Sequence, residues 1–377
     1  MSSAIQFLCK NSLSFTYNHY LMRILYLFLL FISSATYSQS KLSRAIDSLV
    51  KSKGTFSGVV LVAERGKPVY FQAIGYREYA SKILLKKTDI FELASVSKQF
   101  TAMIIMMLKE KGKLQYDDPV EKYLSIPYKG ISIRHLLTHT NGLPDYQEIM
   151  DKHWDKSKVA SNKEILEYLN QYAPPKRFEP GEKYEYSNTG YVLLASIAEK
   201  ASGEDFITLC RKWIFGPLKM SSTNIRTLSE KAAVKNFAIG HIYVEDRKEF
   251  VRADSFPSSN YTIWLGNRKG PGRISSTAAD LLKWDQALYT SRLVKPSTLL
   301  EAFQPMKLND GGFSNYGFGW ELPRTGVVMH TGDNPGYATR IVRYIDQNRT
   351  IIILSNNAFA GQEELVQKIE VFLAAEK

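Results

Sequence analysis

The spacing of apolar residues changes along the first part of the chain. Between residues 41 and 51 the apolar positions lie three or four apart, which predicts an amphipathic helix with one apolar stripe. Continuous β-rich runs follow at 58–62 and 68–71. The polar segment 64–67 between them contains a glycine, and this pattern predicts that the two runs form a hairpin.

A second helical pattern begins at Ser95 and is expected to stop near Gly112. Its apolar residues return at helical spacing, and they are Phe100, Met103, Ile104, Met107 and Leu108. From 113 to about 270 the pattern is mostly helical and loop-like, with proline-containing breaks at 174–175 and 180–181.

Three β-rich runs occur near the C-terminal end, at 327–330, 338–344 and 350–354, and an amphipathic helix is predicted at 362–374. The short connections between these runs favour an antiparallel meander. The predicted fold is therefore of the α/β (α+β) class. An antiparallel sheet built from both ends of the chain is flanked by helices, and a mostly helical lobe at about 113–270 is inserted between its strands.

Residues 1–38 have the order of features found in a secretory signal peptide. Arg23 precedes the apolar run 24–32, and small and polar residues follow. The apolar run is shorter than a membrane-spanning helix requires. We therefore expect cleavage near Ser38-Gln39 and a domain at 39–377 that is periplasmic or secreted, with an uncleaved N-terminal membrane anchor as the alternative.

Composition and charge narrow the class of protein. The 377 residues are 44% hydrophobic, which is enough for a large core. The formal net charge is +12, but Lys and Arg are scattered, with no run of five and no zinc-finger or RNA-module motif, so no nucleic-acid partner is expected. Of the two cysteines, Cys9 leaves with the expected signal peptide, so Cys210 has no partner for an intrachain disulfide.

Ser95 and Lys98 form a Ser-x-x-Lys pair that carries the first indication of chemistry. A serine and a lysine three apart on a helix project from the same face. A lysine whose pKa is lowered by burial can accept the proton of the serine hydroxyl. The same pattern occurs at Ser38 and Ser48, but only Ser95 precedes a strongly apolar helical pattern, so Ser95 is the candidate nucleophile.

Tyr186 and Asn188 lie in a second polar segment, directly before another helical pattern. A tyrosine can relay a proton between the serine and a leaving group if a nearby ammonium lowers the pKa of the phenol. An asparagine two residues later can orient Lys98 or a substrate carbonyl, although asparagine is also a common helix N-cap.

His330-Thr331-Gly332-Asp333 is a third polar segment, at the end of a predicted strand. Polar groups on an exposed strand edge can pair with an extended substrate through the backbone. The Asp333 N–H is expected to act with the Ser95 N–H as an oxyanion donor. His330 is expected to contact substrate, with a hydrogen-bonded strand histidine as the alternative.

His135 and His139 have the i, i+4 spacing of zincin ligands. The acid of a His-Glu-x-x-His motif is missing, since Leu136 stands in its place, and the sequence offers no evident third ligand. We therefore expect no metal site, and we expect the two histidines to cap and shape a loop.

Together these segments resemble the serine β-lactamase-like family, which includes class C β-lactamases, D-alanyl-D-alanine carboxypeptidases, D-aminopeptidases and β-lactamase-fold esterases. The resemblance runs from about Leu42 to Phe372. It depends on the order and separation of several motifs: Ser95-x-x-Lys98, His135 to Pro144, Pro180-Gly181 leading into Tyr186-Ser187-Asn188, Ser276-Thr277-Ala278-x-Asp280-Leu281 before Trp284, His330-Thr331-Gly332, and Leu354-Ser355-Asn356.

The resemblance implies a two-lobed fold with the site between the lobes and no cofactor. It also implies roles for four residues. Ser95 is the implied acylated nucleophile, Lys98 and Tyr186 are the proton-handling pair, and Asn188 is a positioning residue.

The chain departs from the family pattern at His330, where many β-lactamases and carboxypeptidases have a lysine. A lysine there supplies a permanent cation for a substrate carboxylate, whereas histidine is mostly neutral near pH 7. We therefore expect a serine hydrolase that cleaves a small-molecule ester or D-amino-acid amide. The alternatives are a D-Ala peptidase acting on cell-wall peptides, a β-lactamase, and a penicillin-recognising binding protein without turnover.

Overall fold

The computed structural model describes residues 41–375. The predicted signal peptide at 1–38, its cleavage site and Cys9 lie outside the described residues. The chain divides into two compact units, one ending at Ala45 and one running from Ile46 to Lys377. Of the first unit the structure describes residues 41–45, which begin a helix; the description below concerns the second unit.

Short and long strands alternate with helices along the described residues. In chain order the strands are β1 Gly58–Glu64, β2 Lys67–Ile74, β3 Tyr76–Glu78, β4 Ile83–Leu84, β5 Phe91–Glu92, β6 Asn224–Ile225, β7 His241–Val244, β8 Glu249–Arg252, β9 Ile274–Ser276, β10 Met306–Lys307, β11 Phe313–Ser314, β12 Glu321–Arg324, β13 Val327–Asn334, β14 Tyr337–Tyr344 and β15 Arg349–Ser355.

The α-helices in the same residues are, in chain order, α1 Lys41–Ser52, α2 Lys98–Glu110, α3 Ile133–Leu137, α4 Tyr146–His153, α5 Asn162–Tyr172, α6 Asn188–Ser202, α7 Phe206–Cys210, α8 Leu228–Ala233, α9 Tyr261–Trp264, α10 Ala278–Ala287, α11 Pro296–Glu301 and α12 Gln362–Ala375. Among these described helices, none combines the length and the apolar run that crossing a membrane requires.

The main sheet has the strand order β12-β13-β14-β15-β1-β2, and every neighbouring pair is antiparallel. The predicted sheet from both chain ends is confirmed, as are the β1–β2 hairpin and the β13–β15 meander. Strand β13 is longer than predicted, because it continues through Asn334 and does not end at His330. The three polar residues after His330 therefore belong to the strand.

The central strands are buried on both faces, which explains their continuous apolar runs. Strand β1 is buried from Gly58 to Ala63, and its neighbour β15 is buried from Thr350 to Ser355. Helix α10 contacts both strands. A strand covered on both faces shows no alternation of apolar and polar residues, so only the length of the run indicated a strand.

Helix α2 connects the main sheet with the helical part of the fold. The short 3-10 helix before it contacts β13 and β14, and α2 itself contacts α6 and α7. Residues 98–106 of α2 are buried without interruption. The predicted buried helix is thus confirmed, and it places Lys98 in the protein interior.

The stretch 113–270 contains helices α3 to α9 and also short strands that the sequence did not predict. β7 and β8 form a hairpin in which His241 lies opposite Arg252, and β6 pairs with β9, which also pairs with β5. These strands have two to four residues, which is too short to show a period of two in the apolar pattern.

A buried ion pair ties the sheet to helix α10. Arg343 of β14 donates from Nε to Asp285 Oδ1 of α10 at 2.6 Å, and both side chains are fully enclosed. Arg343 also donates from Nη2 to the Asp285 backbone oxygen at 3.2 Å. Two bonds between the same residues fix the position of α10 against the strand.

Candidate active site

Ser95 lies in a 3-10 helix, Ala94–Ser97, that joins β5 to α2. The sequence predicted that Ser95 begins the helix, but α2 begins three residues later. Ala94 has a φ of +47°, a left-handed conformation that costs a non-glycine residue roughly 1–3 kcal/mol. Strain of this kind persists only where the surroundings hold it in place.

The turn before Ser95 is held by three strands. Leu93 N–H donates to Ile274 O at 2.9 Å, and Ile274 N–H donates to Ser97 Oγ at 3.2 Å. Thr339 Oγ1 donates to Leu93 O at 2.7 Å. Gly332 packs so closely that an added Cβ would lie 2.2 Å from Leu93 O. Only glycine therefore permits this approach of β13 to the turn before Ser95.

Lys98 is fully buried, and its Nζ is surrounded by three oxygen atoms. They are Ser95 Oγ at 3.0 Å, Asn188 Oδ1 at 2.8 Å and Pro271 O at 3.0 Å. Burial lowers the pKa of Lys98 well below its usual value, and the nearby charge of Arg268 lowers it further. Both effects favour the neutral amine over the ammonium.

Tyr186 lies beside the same group, although 39% of the residue is exposed. Lys98 Nζ lies 4.6 Å from the centre of its ring. The surrounding protein raises the pKa of Tyr186 well above its usual value by removing water from the phenol, while the nearby Ser95 lowers it less. The sequence argument required an ammonium that lowers this pKa, and the structure shows the opposite direction, so the phenol is protonated at neutral pH.

Asn188 is the first residue of α6 and not its N-cap. Ser187 takes the capping position and its Oγ accepts from Gly190 N–H at 3.2 Å. The Asn188 side chain is thus free to point inward, where its Oδ1 accepts from Lys98 Nζ. The structure brings Asn188 to Lys98, one of the two partners that the sequence analysis considered.

The ring of His139 packs against the ring of Tyr186. The two ring centres are 4.2 Å apart, and Ser187 N–H donates to His139 Nδ1 at 3.0 Å. The ring of Tyr316 lies 4.4 Å from that of His139 on another side. The expected loop-shaping role therefore acts directly on the backbone that carries Tyr186.

His135 belongs to a helix cap. Its Nδ1 accepts from Ser132 N–H at 3.2 Å while Ser132 Oγ accepts from His135 N–H at 3.2 Å. Within residues 41–375 no three or more His, Cys, Asp or Glu side chains are placed to hold a metal ion.

Strand β13 presents alternate residues to different surroundings. Gly332 faces the turn before Ser95, while Thr331 Oγ1 donates to Glu321 Oε1 at 3.3 Å. Asp333 is exposed and lies opposite Ala338 in the ladder. The structure therefore places Gly332 beside the turn that carries Ser95, with Asp333 next along the strand.

His330 lies beneath the site and not at its surface. It is 1% exposed, its Nε2 is 2.7 Å from Tyr316 Oη, and its Nδ1 is 2.5 Å from Thr331 O. Burial lowers the pKa of His330 to about 3. His330 is therefore a hydrogen-bonded strand histidine, which was the alternative to the expected contact with substrate. Both of its ring nitrogens already have a partner.

The sequence of this chain is similar to those of known proteins. The family model described as Beta-lactamase matches residues 42–376. Penicillin-binding protein 4* of Bacillus subtilis (strain 168) is 43% identical over 311 residues, which cover 81% of this chain and 69% of that protein. The chain belongs to the beta-lactamase family. The expected family and the expected class, a serine hydrolase, are thereby confirmed.

Two further relatives of this beta-lactamase family member are more distant. The Beta-lactamase of Escherichia coli (strain K12) is 28% identical over 286 residues, which cover 74% of this chain and 69% of that protein. The solved structure of the octameric penicillin-binding protein homologue from Pyrococcus abyssi has a TM-score of 0.75 at 24% identity, covering 88% of this chain and 77% of that one. The predicted β-lactamase/transpeptidase-like fold is confirmed.

Two contributors to the site were missed in the sequence of this beta-lactamase family member. Tyr316, whose hydroxyl lies 2.7 Å from His330 Nε2, was not among the predicted site residues. Pro271 supplies a carbonyl oxygen to Lys98. The Gly-Pro-Gly sequence around Pro271 was the available signal, because Gly270, with φ of +108°, packs against Tyr191 O where an added Cβ would lie 2.0 Å away.

Proposed function

We propose that this chain is a secreted or periplasmic hydrolase that cleaves an ester or amide of a small molecule through an acyl-enzyme on Ser95. The observation that carries the proposal is the arrangement around Lys98 Nζ, 3.0 Å from Ser95 Oγ. A serine hydroxyl is a weak nucleophile until a base removes its proton.

Lys98 is the proposed base, and its three neighbours support this role. A neutral amine has two N–H groups and one lone pair. Asn188 Oδ1 and Pro271 O are acceptors, so they take the two N–H groups. The remaining lone pair is directed to the hydroxyl of Ser95, which can then donate its proton to Nζ.

Tyr186 is the proposed acid. Its phenol is protonated because burial raises its pKa, so it can donate to the leaving group as the scissile bond of the tetrahedral intermediate breaks. The proton that Lys98 took from Ser95 restores the phenol. Water then attacks the ester formed with Ser95, the serine oxygen recovers its proton, and the net reaction consumes one water for each bond cleaved.

The oxyanion of the intermediate needs preorganised N–H donors. We assign the N–H groups of Ser95 and Asp333 to this role. Support comes from the close packing of Gly332 against Leu93, which brings β13 beside the turn before Ser95. Thr331, Gly332 and Asp333 also form the strand segment proposed to pair with an extended substrate.

The neutral His330 favours an ester or a D-amino-acid amide over a β-lactam or cell-wall peptide. It supplies no cation for a substrate carboxylate, because burial lowers its pKa to about 3. A panel of p-nitrophenyl acetate, nitrocefin and a D-alanyl dipeptide tests this preference. Cleavage of the dipeptide alone would contradict it.

Ser95→Ala tests the acyl-enzyme. We expect the variant to lose both turnover and labelling by a fluorophosphonate, because within residues 41–375 Ser95 supplies the serine hydroxyl that is hydrogen-bonded to Lys98 Nζ. Ser48→Ala is the matched control, since Ser48 has the same Ser-x-x-Lys spacing on α1. Labelling of Ser95→Ala at the wild-type rate would refute the proposal.

A second candidate function is a penicillin-recognising protein that forms a stable adduct without turnover. The 43% identity to a protein named Penicillin-binding protein 4* favours it. Intact mass after incubation with a penicillin separates the two functions. A stoichiometric adduct that persists for hours, with no turnover of any substrate in the panel, supports the binding protein.

Secretion is proposed from residues 1–38 alone. The N-terminal residue of the exported protein tests it, since Gln39 supports cleavage and an intact Met1 or Met22 supports a membrane anchor.

A further inference from the structure

A groove with a volume of about 430 Å³ lies beside strand β12. Its walls include Glu321 and Leu322 of β12, Phe313 of β11, and Tyr184. The volume is within the range of small-molecule sites, roughly 300–1,000 Å³. Tyr184 is two residues before Tyr186, the proposed proton donor to the leaving group. The groove therefore borders the leaving-group side of the candidate active site.

Glu321 connects the groove with strand β13 and with the proposed acid. Thr331 donates to Glu321 Oε1 from its N–H at 3.4 Å and from its Oγ1 at 3.3 Å. The surrounding protein raises the pKa of Tyr186 chiefly by removing water from the phenol, and the negative charge of Glu321 adds to the rise. The carboxylate in the groove wall is thus close enough to Tyr186 to act on its charge.

The Glu321 carboxylate has no cationic partner in residues 41–375. Both bonds from Thr331 go to Oε1, and no donor in those residues is hydrogen-bonded to Oε2. His330 Nδ1 lies 4.0 Å from Oε1, but burial lowers the pKa of His330 to about 3, so this ring is neutral. The Glu321 side chain is 35% exposed, so solvent and a ligand can reach it.

The cations nearest in sequence to the groove residues are paired elsewhere. Lys183 Nζ lies 3.4 Å from Glu185 Oε2, and Arg324 Nη2 lies 2.8 Å from Glu370 Oε1. Of the residues that line the groove in the described part of the chain, Glu321 alone carries a charge. The groove therefore has an excess of negative charge.

Two aromatic rings accompany this carboxylate. Tyr184 is 41% exposed and Phe313 is 61% exposed, and both line the groove. The face of an aromatic ring attracts a cation that lies within about 6 Å of its centre. A carboxylate beside exposed aromatic rings favours an ammonium or alkylammonium group over a neutral or anionic group of the same size.

We propose that this groove binds a cationic group, an ammonium or alkylammonium, in the leaving part of the substrate, and that Glu321 and the ring of Tyr184 hold it. The inference rests on the proposed hydrolase function and narrows its substrates to esters or amides with a positive charge beyond the scissile bond. A substrate of this kind needs no protein cation at position 330, which agrees with the neutral state of His330.

Acetylthiocholine and S-(3,3-dimethylbutyl) thioacetate form a matched pair of substrates that tests the proposal. The two thioesters have the same shape, and a quaternary nitrogen in the first replaces a carbon in the second. Their leaving thiols differ in intrinsic reactivity, so the kcat/KM ratio of charged to neutral thioester is compared between wild type and Glu321→Gln. We expect the wild-type ratio to be about 10 times that of the variant. Equal ratios overturn the proposal.

Glu185→Gln is the matched control for a general loss of negative charge. The Glu185 side chain is 35% exposed, like that of Glu321, and it lies between Tyr184 and Tyr186. Its carboxylate is already paired, since Arg177 Nη1 lies 2.9 Å from Oε1. We therefore expect the control to keep the wild-type ratio. An equal loss in both variants would assign the effect to long-range attraction and overturn the proposal.

Two variants of Tyr184 test the contribution of its ring. Tyr184→Leu removes the aromatic face and should lower the ratio about threefold, whereas Tyr184→Phe keeps the face and should keep the ratio. An unchanged ratio in Tyr184→Leu overturns the role of the ring. Circular dichroism and urea unfolding show whether each variant is folded.

A binding measurement separates this inference from the proposed function. Titration of the Ser95→Ala protein with choline and with 3,3-dimethylbutan-1-ol, followed by NMR, needs no turnover. We expect choline to bind about tenfold more tightly than the neutral alcohol, and we expect Glu321→Gln to remove this difference. Equal binding of the two compounds overturns the inference even if Ser95 is the nucleophile. A preference for choline that depends on Glu321 supports it even if no thioester is cleaved.

Discussion

Gly332→Ala perturbs the contact that joins strand β13 to the turn before Ser95. The added Cβ would lie 2.2 Å from Leu93 O and 2.3 Å from Thr339 Oγ1, in a backbone conformation outside the left-handed region. An ordinary contact between carbon and a carbonyl oxygen is about 3.3 Å. Strand and turn must therefore separate by roughly 1 Å.

Two effects follow from that separation. Overpacking of a tight interior costs about 1–3 kcal/mol of folding free energy. The Thr339 Oγ1 bond to Leu93 O, 2.7 Å long, lengthens or breaks. A shift of about 1 Å between an oxyanion donor and the nucleophile can lower the rate about 100-fold. The loss of kcat should therefore exceed the loss that partial unfolding alone produces.

Urea unfolding and the kcat/KM for p-nitrophenyl acetate measure these effects on the same sample. Gly272→Ala is the matched control. Its Cβ meets Ala94 O, in the same turn, at 3.7 Å, which is an ordinary contact. The control should keep the wild-type kcat/KM. A Gly332→Ala protein with wild-type stability and activity would refute the reasoning that close packing at Gly332 positions the site.

Three further predictions concern buried charge. The kcat/KM should fall as the pH falls through the folded-state pKa of Lys98. Asn188→Asp should move that fall to higher pH, because a carboxylate near Nζ favours the ammonium. An unchanged pH profile in Asn188→Asp would contradict the role of Lys98 as base. Since burial lowers the folded-state pKa of Lys98, the unfolded chain binds the extra proton between that pKa and about 10.4. Stability should thus rise with pH across this window in the wild type and not in Lys98→Met, as urea midpoints at several pH values would show. Arg343→Met leaves the buried Asp285 without its arginine partner, and the free energy of unfolding measured in urea should fall by about 3–5 kcal/mol. The double variant Arg343→Met with Asp285→Leu should recover most of this loss. Equal stability of Arg343→Met and wild type would contradict a stabilising role of the pair.

Much of the site was predictable because the motifs lie where local pattern is informative. Ser95 and Lys98 are three residues apart on a strongly apolar pattern, so their proximity follows from helical geometry. The break predicted at 180–181 is a turn in the structure, where Gly181 has a φ of +80°. The strands β1 and β15 were predicted from length and β-branched content.

The directions of the pKa shifts were less predictable, because each depends on which neighbouring atoms exclude water from the titrating group. The sequence argument made a proton relay through Tyr186 conditional on an ammonium that lowers the pKa of the phenol, but the surrounding protein raises this pKa. His330 was expected at a strand end in contact with substrate. Burial and its bond to Tyr316 make it an internal, neutral group.

The amino-acid sequence by itself determined the family, the nucleophile candidate and its lysine, and the sheet built from both chain ends, because each depends on residues close together or on an ordered set of motifs. Only the tertiary structure decided that β13 reaches the turn before Ser95 through Gly332, and that His330 is enclosed and bonded to Tyr316. Those features arise between segments far apart in the chain, where distance and exclusion of water are set by packing and leave no local pattern.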